Sequence, residues 1–357
     1  MEKTKSSSWN KFLNVVKENP IAILLVVAAV IVGILKDNFF SWNNFGNLVS
    51  NTSVRFLIAL GVSGCLITKG TDLSAGRQVG FAACLAGLLV QRGDYASKYW
   101  ANIPEMNIWV ILLIVVAVGF LFGALNGVII TRLHVPPFIA TLGTQTIIYG
   151  IALVMTDAQP IGGFQSAYSD MIMAKIGNTK GFYLPCLLFV AVGFGLLFWF
   201  IYNKTRHGKY MYAIGGNEVA AEVSGVNTAR TVTSIYIIAG VMYAVAGYLL
   251  AGKSGGASSS MGSGYELEAI AGCTIGGVST TGGIGTVPGI LVGVLVFEIL
   301  KIILQFLGVN PYYNYIVQGL VIVIAVALDI RKYVAKKKCR ILRKTETSLI
   351  TDPSQER

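Results

Sequence analysis

The sequence predicts an all-α, polytopic membrane protein with about ten transmembrane helices. It places them in two pseudo-symmetric inverted halves with broken or short helices among them. Three observations predict this class. The chain of 357 residues is 54% hydrophobic and only 13% charged. Its apolar residues fall in continuous runs close to, or shorter than, the about 20 residues a spanning helix needs. Its lysines and arginines gather in a few places instead of spreading over a surface.

Taken in order, the apolar runs lie near 20–35, 54–68, 76–90, 108–131 and 137–155, then near 182–202, 232–251, 267–278, 287–306 and 312–330. The first run follows Lys3, Lys5, Lys11 and Lys17 and ends at Lys36 and Asp37 instead of a small-residue cleavage site, so it reads as a retained span. An odd number of spans in each half makes the second half enter with reversed orientation, as in inverted-repeat transporters. The expected organisation is a tail at 1–19, a transmembrane domain at 20–333 with halves at 20–155 and 182–331 and a loop at 203–230, and a basic tail at 334–357.

The formal charge is +11. Its basic residues lie in the N-terminal tail, in an island at 203–230 and in RKYVAKKKCRILRK at 331–344. Positive loops stay cytoplasmic, so both termini and the island are expected inside, with 37–51 and 156–180 outside. The C-terminal cluster suits anionic lipid and orientation, and nucleic acid is not an expected partner. Cys65, Cys84, Cys186 and Cys273 lie in apolar runs and Cys339 in the basic tail, without metal-ligand or disulfide spacing. No metal is expected. Trp42, Tyr95, Tyr99, Trp100 and Trp109 fall near outer span ends, where aromatic rings anchor.

The island reads GGNEVAAEVSG at 215–225. Asn217 can cap a helix, Glu218 and Glu222 favour its start through the dipole, and Gly225 fits the left-handed residue that ends it. Ala220 and Ala221 at its centre leave little bulk between this backbone and a receiving cleft. A two-turn helix on which another protein docks is the expectation.

The helical pattern breaks at TKGTDLSAGRQVG, 68–80, and at GGVSTTGGIGTVPG, 276–289. Both follow short apolar runs and read as matching positions of the halves. Irregular backbone at membrane depth needs protein or a wet cavity to satisfy it, which makes these segments pointers to a translocation path; ordinary tight turns are the competing reading. Asp72 in the first break caps a helix beginning at Leu73, with Lys69 or Arg77 as partner, or meets substrate together with Ser74. Asn126, Thr141, Thr144, Gln145 and Thr146 either line the path or bond across helix pairs. Glu266 and Glu268, at the start of the short eighth run, face an outer vestibule and a docking protein or cap their helix.

Sites for covalent chemistry are missing. There is no GxxxxGK[ST], so no P-loop. GVSG at 61–64 has the GxSG of intramembrane serine proteases, but His134 and His207 lie at or beyond span ends, away from Ser63. The chain reads as non-enzymatic.

Across about 20–333, the chain resembles the membrane subunits of bacterial ABC importers for monosaccharides, in the ribose/galactose branch and nearest its galactose members. The resemblance rests on RFLIALGVSG at 55, TKGTDLSAGRQVG at 68, LNGVII at 125, PPFIATLGT at 136, AIGGNEVAAEVSGVN at 213, YELEAIAGC at 265 and GVNPYYNYIVQG at 308. It implies a homodimer of permeases, a cytoplasmic ABC ATPase that binds ATP and Mg, a periplasmic or lipid-anchored sugar-binding protein, and a place in the bacterial inner membrane. It also implies that the island is an EAA-like loop, in which Ala220, Ala221, Gly225 and Ile235 keep the family spacing; Val219 stands where the wider motif has Glu, and no Leu-Pro follows Ile235. An ion-coupled secondary transporter is the alternative, with Asp72, Glu298 and Asp329 as possible ion carboxylates.

Overall fold

The computed structural model describes residues 20–177, 183–310, 312–313, 315–321, 323–324, 326–327 and 331. The tails at 1–19 and 334–357, with Cys339 and the C-terminal basic cluster, lie outside the described residues, as do Asp329 and part of the tenth run. Residues 315–321 of that run are helical.

The chain forms α1 (Pro20–Leu35), α2 (Trp42–Ile67), α3 (Ala75–Val90), α4 (Ile108–Arg132), α5 (Pro137–Thr156) and α6 (Ser166–Met173). A short hairpin follows, β1 (Lys175–Gly177) antiparallel to β2 (Tyr183–Pro185). Then come α7 (Cys186–Lys204), α8 (Arg206–Gly216), α9 (Glu218–Val223), α10 (Thr228–Ser254), α11 (Tyr265–Ile275) and α12 (Val287–Phe306). Among the described residues six helices are long and apolar enough to cross a membrane, and α3 is a shorter apolar one.

Two helices make the centre. The apolar windows of α2 and α10 are each 83% buried, against 22% for α4 and 28% for α5 and α7, whose outer faces are left for lipid. Small residues let the central helix be approached closely. Gly119, Gly123 and Gly127 stand four apart on α4, and a Cβ on any of them would run into α10 backbone at Gly240, Tyr236 and Thr233. Thr131 and Thr233 share a hydroxyl hydrogen bond of 3.0 Å at the end of the same seam. Lipid tails are as apolar as leucine, so van der Waals fit at such a small-residue stripe drives helix association.

Four expectations are corrected. The segment 37–51, expected as a loop, is mostly helix: Ser41 Oγ accepts from Asn44 N at 3.2 Å and starts α2 at Trp42. Ser50 and Ser53 turn their hydroxyls back onto Gly46 O and Val49 O, each at 2.8 Å, so these polar residues are accommodated within the helix. The first break therefore follows a helix of 26 residues, not a short run. The polar stretch after α5 holds α6 and the β1–β2 hairpin, and the rest of the regular structure among the described residues is helical. The helix after the first break begins at Ala75, not Leu73.

The fourth correction concerns which breaks correspond. α2 packs on α11 and α12, while α10 packs on α3 and α4. Each central helix is followed by an irregular segment, 68–74 or 255–264, and then by a short helix, α3 of 16 residues or α11 of 11. The counterpart of 68–74 is thus GGASSSMGSG at 255–264, and 276–286 takes the place of the loop 91–107. Glycine content alone mispaired them.

The two ends of the bundle differ. At one, Gln91 bridges Phe164, Ile161 bridges Ala257, and Arg92 N donates to Gly163 O. At the other, the C-terminal end of α2, the α8–α9 unit and segment 276–286 meet, with Gly283 N donating to Ile67 O at 2.8 Å.

Candidate functional site

The island folds as two helices with one residue between them. Thr205 Oγ1 accepts from Gly208 N and starts α8; Asn217 closes α8 and its side chain accepts from Ala220 N at 3.1 Å to start α9. At the other end Val226 N donates to Ala221 O and Gly225 N to Glu222 O, with Gly225 at φ +85°. This is a Schellman closure, which needs a left-handed residue where a side chain would be strained. The helix, its Asn217 cap and its glycine stop match the sequence reading. Glu222 does not: it lies in the last turn, where the dipole disfavours a carboxylate, and accepts from Thr228 Oγ1 at 2.8 Å instead.

Which atoms α9 presents also differs. Ala221 faces inward and is buried, while Asn217, Glu218 and Ala220 are exposed. Val219 is 69% and Val223 86% exposed, one turn apart on the same face. Both valines stand bare on this turn, and Val219 had counted only as a departure from a motif. Ile235 belongs elsewhere, buried in α10 against Gly64 of α2.

The path candidates converge, but on one another. Asp72 Oδ1 accepts from Ser74 N at 2.9 Å and Ser74 Oγ at 2.6 Å. Ser74 Oγ accepts from Asn126 Nδ2 and Gln78 Nε2, both at 2.9 Å, and Asn126 Oδ1 accepts from Thr144 Oγ1 at 2.7 Å. Thr141 Oγ1 donates to Thr71 O and accepts from Leu73 N, each at 3.1 Å. Asp72, Ser74, Asn126, Thr141 and Thr144 are all buried. These residues tie segment 68–74 to α4 and α5 and satisfy its backbone, as irregular chain at membrane depth requires. Gln145 is half-buried and Thr146 exposed at its edge. Lys69 and Arg77 are not partners of Asp72: Lys69 reaches Gly216 O, and Arg77 lies 4.0 Å over the Tyr149 ring.

A second cluster is charged. Arg55 Nε lies 2.8 Å from both Glu268 Oε2 and Glu298 Oε1, and Lys301 Nζ lies 2.5 Å from Glu268 Oε2. Tyr265 stacks under the guanidinium at 4.8 Å. Glu268 is thus committed to an ion-pair quartet joining α2, α11 and α12, not free for a docking protein. Among the described residues, Glu266 in the first turn of α11 makes no capping hydrogen bond, and its Oε2 is buried beside Gly76 without a partner. Ser63 bonds Leu60 O and Tyr202 OH, each at 2.8 Å, and no histidine reaches it. Among the described residues no group of histidine, cysteine and carboxylate side chains could hold a metal.

Residues 44–326 match the family model described as branched-chain amino acid transport system / permease component. The chain belongs to this permease family. It is 45% identical over 338 residues to the galactose/methyl galactoside import permease protein MglC of Escherichia coli (strain K12), covering 93% of this chain and 100% of that protein. To the protein of the same name from Haemophilus influenzae it is 44% identical, covering 92% and 98%. To the ribose import permease protein RbsC of Haemophilus influenzae it is 33% identical, covering 88% and 93%. No solved structure matches. As a member of this family the permease is a polytopic, multi-pass helical membrane protein, in agreement with its six long apolar helices.

Two features of the permease escaped the sequence reading. The quartet draws on residues 213 apart, and no local pattern announces it. The glycine stripe of α4 had a local signal, small residues at every fourth position, that could have found it.

Proposed function

We propose that this permease is the membrane subunit of an ATP-driven importer that moves a monosaccharide, galactose or methyl galactoside, across the bacterial inner membrane. The observation that carries the reading is α9: a helix capped at both ends, held by α8 at one end of the bundle, with Val219 and Val223 bare. A helix this short gains little from its own hydrogen bonds, so two strong caps on an exposed turn suit preorganisation for a partner. The sugar is taken from the identity to galactose and ribose import permeases.

In this reading a cytoplasmic ABC ATPase receives α9 and holds the ATP and Mg; the permease binds no cofactor and does no covalent chemistry. A second copy completes the path, and a periplasmic or lipid-anchored binding protein delivers sugar to the outer end. Closure of the ATPase on ATP moves α9 and shifts the permease pair between outward-open and inward-open arrangements. Both termini lie in the cytoplasm, and lipid covers the exposed faces of α4, α5 and α7.

The test is to place aspartate at the exposed valines. V219D and V223D are expected to remain folded and abolish both co-purification of the ATPase and sugar uptake in reconstituted vesicles. Normal co-purification and uptake in both variants would remove α9 as the docking element. Substitution at buried Ala221 would confuse docking with packing.

A further inference from the structure

We infer that segment 276–286 is an element through which motion of the docking helix reaches the transmembrane helices, with Gly215, Tyr212 and Gly283 as the positioning residues. The inference rests on the docking role proposed for α9 and names the next step. Three contacts converge. Gly215, in the last turn of α8, lies so close to the end of α2 and to segment 276–286 that a Cβ there would overlap Ile67 O and Gly283 N. Gly283 N in turn donates to Ile67 O at 2.8 Å. Tyr212 OH, one turn earlier on α8, donates to Gly285 O at 2.8 Å.

These contacts are backbone to backbone or a single stiff ring to backbone, so they have little slack. Gly282 and Gly283 have φ of +88° and +77°, and a Cβ at Gly283 would lie 3.0 Å from Gly216 N. Only glycine allows both the turn and the approach. On the α9 side, Asn217 is the one residue between α8 and α9, with its N–H bonded to Ala213 O. On the membrane side, Thr286 ends the segment and caps α12, its Oγ1 accepting from Gly289 N at 3.3 Å. A displacement of α9 therefore has a path through α8 into 276–286 and on to α12, beside the direct contacts of Gly215 with Ile67 of α2 and of Glu222 with Thr228 of α10. Tightly packed elements transmit such shifts because they do not deform continuously. The glycine-rich stretch that looked like a second broken helix is in this assignment a link between engine and path.

The test uses the complete transporter of permease, ATPase and binding protein in vesicles, with galactose as the probe, and reads sugar molecules moved per ATP hydrolysed. Y212F removes one hydrogen bond and no bulk, and is expected to lower that ratio about fivefold with the ATPase still bound. G283A is expected to lower it further. A wild-type ratio in both variants overturns the inference. So does loss of the ATPase from these variants while wild type retains it, because the segment would then belong to the docking face. Failure of wild type itself to bind an ATPase sinks the docking reading and this one with it. A second measurement needs no disruptive change: spin labels on V223C and I284C should keep their separation between nucleotide-free and ATP-trapped states, while the distance from either to a label on L133C changes. A changed separation between the first two overturns the link.

Discussion

The permease buries two polar clusters, and they solve the same problem in opposite ways. Around segment 68–74, uncharged groups from three elements pass hydrogen bonds in one direction, Thr144 to Asn126 to Ser74, and end on the carboxylate of Asp72. Between α2, α11 and α12, two cations and two carboxylates neutralise one another. The first cluster holds irregular backbone in place; the second holds regular helices together. A buried ion pair adds little net stability over an apolar contact, yet breaking one side of it is costly. The neutral chain is expected to be tolerant at its far end and sensitive where it meets Asp72.

The sharpest way to break this comparison is to strand charge in the quartet. R55M leaves Glu268 and Glu298 facing each other with Lys301 alone, and should cost about 3–5 kcal/mol in thermal or denaturant unfolding in detergent. Replacing Arg55, Glu268, Glu298 and Lys301 together with Met and Leu should recover most of that loss. If the single change is as mild as the fourfold one, the quartet is not a compensated unit. Next in size, D72A orphans the Ser74 N–H and hydroxyl and should cost about 1–3 kcal/mol, whereas D72N, which keeps an acceptor, should cost less than half as much. Equal losses in the two would show that charge, not acceptance, matters at Asp72. At the far end of the same chain, T144V should cost only about 1 kcal/mol.

A smaller effect sharpens the contrast with the surface helix. N217A removes one cap and should cost α9 about 1 kcal/mol, seen as faster amide exchange over 218–223 with the transmembrane helices unchanged. The smallest concerns His207 in α8, whose imidazole is pushed below its ordinary 6.5 by burial, with Ser234 Oγ 3.4 Å from its Nδ1. The unfolded chain then binds the proton more readily, so this contribution is complete above about pH 6.5 and declines as pH falls below it. H207Q should flatten that decline; an unchanged acid limb would assign it to other groups.

The contrast also explains what the sequence could show. Apolar runs locate spans because a bilayer demands continuity, and α4, α5 and α12 appear with nearly the expected bounds. Asn126, Thr141 and Thr144 stood out as polar letters in apolar text, although their being bonded to segment 68–74 needed coordinates. Asn217 and Gly225 were legible because caps are local. Helix α2 was half hidden, since its first turns are polar and largely exposed, with Trp42, Asn43, Phe45 and Asn47 on the surface. Arg55, Glu298 and Lys301 were opaque as a group, because three helices must fold before their charges meet. The junction of Gly215 with Gly283 was equally invisible: each glycine was noticed, and nothing in either stretch pointed to the other.

The most direct measurement is galactose uptake into vesicles holding the purified permease, with the ATPase, binding protein and ATP added or omitted one at a time. Uptake is expected only when all are present, and it should survive collapse of the ion gradients. Uptake by the permease alone, driven by an ion gradient and indifferent to ATP, would contradict the proposal that a partner gripping α9 powers this path.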